Sequence, residues 1–151
     1  PIFLALMSDP EPGVRTSAVD GLRNIKHLGT VEHLKKMMLS KDHDERAWAA
    51  QLLRQLADRS CIPVLSGALK DRFFDIRAYS ATALILMDDR GAEAVVKAHL
   101  AGEKDDYVKR CVRDAYASLA AKKEKEKAEE ERARKIREWE SKEMEKWNHP
   151  K

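Results

Sequence analysis

Cysteine is nearly missing from the 151 residues: Cys61 and Cys111 stand fifty positions apart, with no CxxC pair. A disulfide framework and a cysteine-based zinc site are therefore not indicated, and a reducing compartment such as the cytoplasm fits the scarcity. Apolar runs are short. None approaches the roughly 18 residues that a membrane span needs, and no charged-then-apolar leader opens the chain. Excess charge of one sign is also lacking. The net charge of +3 divides into +1 on residues 1–121 and +2 on residues 122–151, although the pI is near 8.9. A protein that neutralises phosphates carries a stronger basic bias, so nucleic acid is a secondary expectation as partner. Catalytic signatures are absent as well: there is no HExxH, Walker loop, GxGxxG or GxSxG. The five histidines, His27, His33, His43, His99 and His149, form no ligand spacing. The expectation is thus no enzyme: no catalytic residue, no cofactor and no metal.

What the chain does contain is a repeat. The segments VRTSAVDGLRNI, ERAWAAQLLRQL, IRAYSATALILM and VKRCVRDAYASL align without gaps, and the bases Arg15, Arg46, Arg77 and Lys109 stand 31, 31 and 32 residues apart. Three positions on come Ala18, Ala49, Ser80 and Val112, and six on Gly21, Leu52, Ala83 and Ala115. Seven on are Leu22, Leu53, Leu84 and Tyr116, and ten on Ile25, Leu56, Met87 and Leu119. Those offsets trace one face of an α-helix.

A shorter second helix comes after each of the first three, carrying Leu34, Leu65 and Val96, then Met38, Leu69 and Leu100. Gly29, Ser60 and Gly91 are expected at the break between the two helices. The same register reaches back to Phe3 and Met7, so residues 1–7 read as the second helix of a preceding repeat and the chain as a piece of a longer one. Acid-rich turns before the first helices supply side chains that cap free backbone N–H groups. One helical pair cannot bury its apolar face alone, so neighbours must stack.

SDPEPGVRTSAVDGLRNI and its echoes at 40–57, 71–87 and 103–120 resemble the HEAT repeat family, in particular the short HEAT-like repeats of the phycobilisome-lyase class. The resemblance implies an all-α fold: an α-solenoid of about 3.5–4 HEAT-like helical hairpins with a concave face formed by the second helices, commonly used to bind proteins. The repeats would fall at 8–39, 40–70, 71–102 and 103–120. It further implies a structural ladder of Arg15, Arg46, Arg77 and Lys109 with acids drawn from Asp9, Asp42, Asp44, Asp71, Asp75 and Asp105. Lyase-type activity rests only on analogy of fold, which is a weak warrant.

After Ala121 the composition changes. Between 122 and 151 stand 11 Lys or Arg and 9 Glu, and Gly and Pro are absent until Pro150. This reads as a long, charged C-terminal helix over 121–147, with a disordered end at 148–151. Pairs such as Lys122–Glu126 and Glu131–Lys135 stand at i,i+4 spacing and support it. Ala133, Ile136, Trp139, Met144 and Trp147 fall within roughly a 140° arc of that helix. Such a stripe needs a cover, either the open end of the repeats or another protein. Candidate partner-binding residues are therefore Ile136, Trp139, Met144 and Trp147, joined by Lys35, Lys36 and Lys97 on the second helices, a mildly basic strip suited to an acidic segment. The functional expectation is a non-catalytic interaction or scaffold module within a larger assembly. Its partners would be other protein subunits.

Overall fold

Asp42 shows how the local sequence starts a helix here. Its backbone is extended and its carboxylate accepts the Glu45 N–H, so one of the free donors at the helix start is satisfied by the residue before it. Asp44 and Glu45 add negative charge to that first turn, and Arg54 places positive charge in the last. In this computed structural model the described residues are 5–7, 9–24 and 28–148. They form helices and turns, with no strand among them. Phe3, Ile25, His27, His149 and the expected disordered end beyond 148 lie outside the described residues, as does the Leu22 side chain.

From residue 12 onward the described residues form, in order, α1 (Pro12–Asn24), α2 (Leu28–Met37), α3 (His43–Leu56), α4 (Ile62–Ala68), α5 (Phe74–Leu86), α6 (Arg90–Leu100) and α7 (Asp106–Asn148). A 3-10 turn, Arg59–Cys61, leads into α4. The chain divides into two units, residues 1–116 and 117–151, so the last helix contributes its first turns to one and the remainder to the other.

In the first unit, α3 packs most extensively on α5, while α4 meets both α5 and α6. The alignment offsets explain this arrangement. Ala18, Ala49, Ser80 and Val112, all three positions after the repeated base, are buried. Leu53 and Leu84, seven positions after it, are completely so. Small residues let the helices approach, and the leucines fill the layer between them. The second helices contribute Leu34, Leu65 and Val96, each fully buried. Because α5 has neighbours on three sides, it is apolar around most of its circumference, with every residue from Ser80 to Ile85 buried.

Ser60 falls in the break between α3 and α4, whereas Gly29 and Gly91 do not stand at a break. Gly29 and Gly91 lie inside the first turns of α2 and α6, and Ser60 lies in the 3-10 turn. Before Ser60 and Gly91 the chain reverses two to three residues earlier, at Ala57–Asp58 and Asp88–Asp89. Ala57 (φ 49°) and Asp88 (φ 50°) are left-handed. Asp58 then caps the 3-10 turn by accepting the Ser60 N–H, and Asp89 caps α6 by accepting those of Gly91 and Ala92. The glycine and serine are recipients of a cap; the aspartates make the turn. A left-handed alanine is strained where glycine is not. Replacing Ala57 by Gly should therefore raise unfolding stability in urea by about 0.5–1 kcal/mol; no gain would mean that the turn tolerates alanine without strain.

Candidate functional site

Each repeated base turns back over the loop that precedes its own helix. Arg15 Nη1 donates to the carbonyls of Asp9 and Pro10, Arg46 Nη1 to those of Ser40, Lys41 and Asp42, and Arg77 Nη1 to those of Asp71 and Arg72. Lys109, with one ammonium in place of a planar fork, reaches the Lys104 carbonyl and Asp106. The remaining guanidinium edge reaches forward. Arg46 Nε and Nη2 donate to the two oxygens of Asp71, at 2.8 and 3.3 Å. Arg77 Nε and Nη2 do the same with Glu103, at 2.8 and 3.0 Å. Each of these two arginines thus ties its own loop to the loop that opens the next helical pair.

Of the acids expected opposite these bases, Asp71 takes that place. Asp42 and Asp105 cap helices instead, and Asp44 and Asp75 bracket His43, whose Nδ1 and Nε2 lie 2.8 and 2.9 Å from them. The physical reason is register. An arginine near the start of a helix faces the beginning of the next loop, 25 or 26 residues on, and not the end of it. Asp9, Ser40, Asp71 and Glu103 occupy that column, and each accepts the backbone N–H two residues later. Glu103 is not among the acids that the resemblance marks, because a glutamate stands there in place of an aspartate and the fourth loop is one residue longer. The repeat spacing of 31, 31 and 32 is the signal that points to it.

Glu103 is the most heavily bonded carboxylate among the described residues. Besides Arg77 it accepts the N–H groups of Lys104 and Asp105, and His99 Nε2 lies 2.9 Å from its second oxygen. The Arg77 fork, aided by those donors and opposed by burial, holds its carboxyl down at about 2. Asp71 is also held below the usual carboxylate range: burial works against its charge, and the bonds from Arg46 and the Phe73 N–H outweigh it. His99 therefore has a structural post beside a buried carboxylate. Cys61 is fully buried and burial pushes its thiol up, as for an inert core cysteine, while Cys111 is half-buried.

The candidate partner-binding residues fall into two groups. In the second unit, Ile136, Trp139, Met144 and Trp147 are all exposed, Trp139 to 64% and Trp147 to 82%. Around them the helix is held by its own i,i+4 pairs, among them Lys135–Glu131 at 2.8 Å. In the first unit, Lys35 pairs with Glu32 at 2.8 Å and Lys97 with Glu93 at 2.7 Å, and Lys36 is exposed. Two of the three lysines of the basic strip are thus partly neutralised by acids one turn away. Among the described residues no His, Cys, Asp or Glu cluster is fit to hold a metal ion, and no helix is long and apolar enough to cross a membrane.

Residues 45–71, which run from the first turn of α3 to the ladder acid Asp71, match the family model described as PBS lyase HEAT-like repeat. The chain carries a HEAT-like repeat. The matched segment holds both ends of one rung, Arg46 and Asp71, together with the buried Ala49, Leu53 and Leu65. No curated protein matches the chain.

Proposed function

We propose that this chain is a non-catalytic protein-interaction module. It is an α-solenoid of about 3.5–4 HEAT-like hairpins, at 8–39, 40–70, 71–102 and 103–120, with a helical extension over 121–147 that docks on another subunit of a larger assembly. The HEAT-like match supports the first part, since such repeats commonly mediate protein interactions. The observation that carries the second is the exposed stripe of Ile136, Trp139, Met144 and Trp147 on an otherwise charged helix. Large aromatic side chains are the usual anchors of protein interfaces, and burying two tryptophans contributes several kcal/mol where a pocket receives them, by the order of ~25 cal/mol per Å² of apolar area. Charged neighbours keep such a helix in solution until the partner is met.

The test is affinity capture from native lysate with the intact chain and with a Trp139→Ala/Trp147→Ala variant, the captured protein being identified and then rebuilt from purified components. The expected result is a defined partner bound by the intact chain and weakened by about a hundredfold or more in the variant, the scale of two interface hot spots. Equal binding by the two proteins would return the interaction to the repeats and remove the docking role of the extension.

A further inference from the structure

His43 opens α3, and its ring reaches across to the start of α5, the helix on which α3 packs most extensively. Nδ1 lies 2.8 Å from Asp44 Oδ1 and Nε2 2.9 Å from Asp75 Oδ2. A neutral imidazole has one N–H and one bare nitrogen. With a carboxylate oxygen at each nitrogen, the neutral ring would set a lone pair against a negative charge. Only the imidazolium donates to both, so the contact geometry is that of the charged ring.

The surroundings agree. On its own helix the ring stands beside Asp44, and the first-turn acids Asp44 and Glu45, with the cap Asp42, offset the positive helix start that a cation would otherwise meet there. The loop before α5 brings Asp71, Arg72 and Phe73, whose ring centroid is 4.2 Å from that of His43. Arg46 and Arg72 both lie over the Phe73 ring. The charge of Arg46 is answered by Asp71, and Arg72 is exposed to solvent, which screens it. The start of α5 contributes Asp75. The bonds to Asp44 and, against the cost of burial, to Asp75 hold the imidazole above its ordinary 6.5.

Asp75 is the contact that crosses between helices, and it is the sheltered one: its side chain is 23% exposed and that of Asp44 91%. It also serves the start of α5. Asp42 caps α3 and Asp105 caps α7, while Phe73, the residue before α5, makes no side-chain cap. Asp75 accepts the Ile76 N–H through Oδ1 and faces His43 with Oδ2. We infer that His43 is a proton-operated clasp between successive helical pairs: charged, it ties α3 to the start of α5 through Asp75, and on losing its proton it releases one carboxylate and slackens that junction. The clasp is independent of the interaction reading and adds a pH response to the repeats themselves.

The folded chain holds this proton more tightly than the unfolded chain. The stabilisation is therefore fully present below about 6.5 and is lost as pH rises through the folded value. The test is a titration of the full chain by long-range proton–nitrogen spectra of its histidines, with His43 assigned through its loss in His43→Gln. Thermal unfolding of the wild-type chain and of that variant is followed at pH 5.5 and 8.5. The expected midpoint for His43 lies above 6.5, with both ring nitrogens in the imidazolium range at pH 6, and it falls in Asp75→Asn. Asparagine can still accept the Ile76 N–H, so this variant removes the charge and keeps the helix start served. The Tm gap between the wild-type chain and His43→Gln should be wider at pH 5.5 than at pH 8.5. A His43 midpoint at or below 6.5 in the wild-type chain would overturn the clasp without recourse to any variant. A midpoint unmoved by Asp75→Asn, or a Tm gap the same at both pH values, would overturn its role between the helices.

Discussion

Glu103→Gln should cost about 3 kcal/mol of unfolding stability, because it removes one half of an ion pair that the fold has taken out of water. The Glu103 side chain is 4% exposed and that of Arg77 16%. The amide keeps the shape and leaves the Arg77 guanidinium facing a neutral group. The pH dependence comes from the depressed carboxyl. Its folded value of about 2 lies below the ordinary 4.5, so the unfolded chain takes up the proton first as pH falls. The stabilisation is fully present above the unfolded value and is lost progressively from there down through about 2. At one pH unit per 1.36 kcal/mol, it is on the order of 3 kcal/mol at neutral pH. Urea unfolding at pH 7 and at pH 3 checks both parts. The gap between the wild-type chain and the Gln variant should be wide at pH 7 and narrow at pH 3. A gap independent of pH would show that packing, and not charge, is what the substitution removes.

Leu84→Ala should be comparable in size and different in kind. Leu84 is fully buried in α5, where it fills the layer between neighbouring helices. Truncation removes the transfer term and leaves a cavity that rigid helices close only in part, for a loss of about 2–5 kcal/mol at any pH. Leu39, 78% exposed, provides the contrast: its truncation should stay within about 0.5 kcal/mol. Thermal or urea unfolding of the two variants settles the comparison. A Leu84 variant as stable as the Leu39 variant would mean that this layer is loosely packed.

The buried helix faces could be read from offsets alone because a 3.6-residue period forces positions 3, 6, 7 and 10 onto one side of a helix. Ala49, Leu53 and Leu84 are where that period puts them. The ladder partners could not be read in the same way. Which acid in a loop meets an arginine depends on how the loop folds, and Asp42, Asp44, Asp75 and Asp105 are equivalent candidates until hydrogen-bond geometry assigns them to caps and to His43. The turn at Ala57 is hidden for a related reason. Glycine and serine advertise turns, and here the left-handed position is filled by Ala57 and Asp88, neither of which the repeat alignment marks. That Ser40 offers Arg15 no acid is legible only by comparison among rungs, once the column of Asp9, Ser40, Asp71 and Glu103 is known.

The function legible in the sequence is of a general kind. HEAT-like repeats point toward protein partners, and the stripe on the extension points to where one would sit. Neither names the partner.

The interaction reading is tested most directly by the tryptophan emission of the extension. The signal of Trp139 and Trp147 is isolated by subtracting the spectrum of a Trp139→Phe/Trp147→Phe variant, once for the free chain and once for the complex rebuilt with the captured subunit. The account predicts a water-like emission maximum in the free chain, as the exposure of both rings requires, and a clear shift to shorter wavelength in the complex. Emission unchanged in the complex, or already at short wavelength in the free chain, would contradict it.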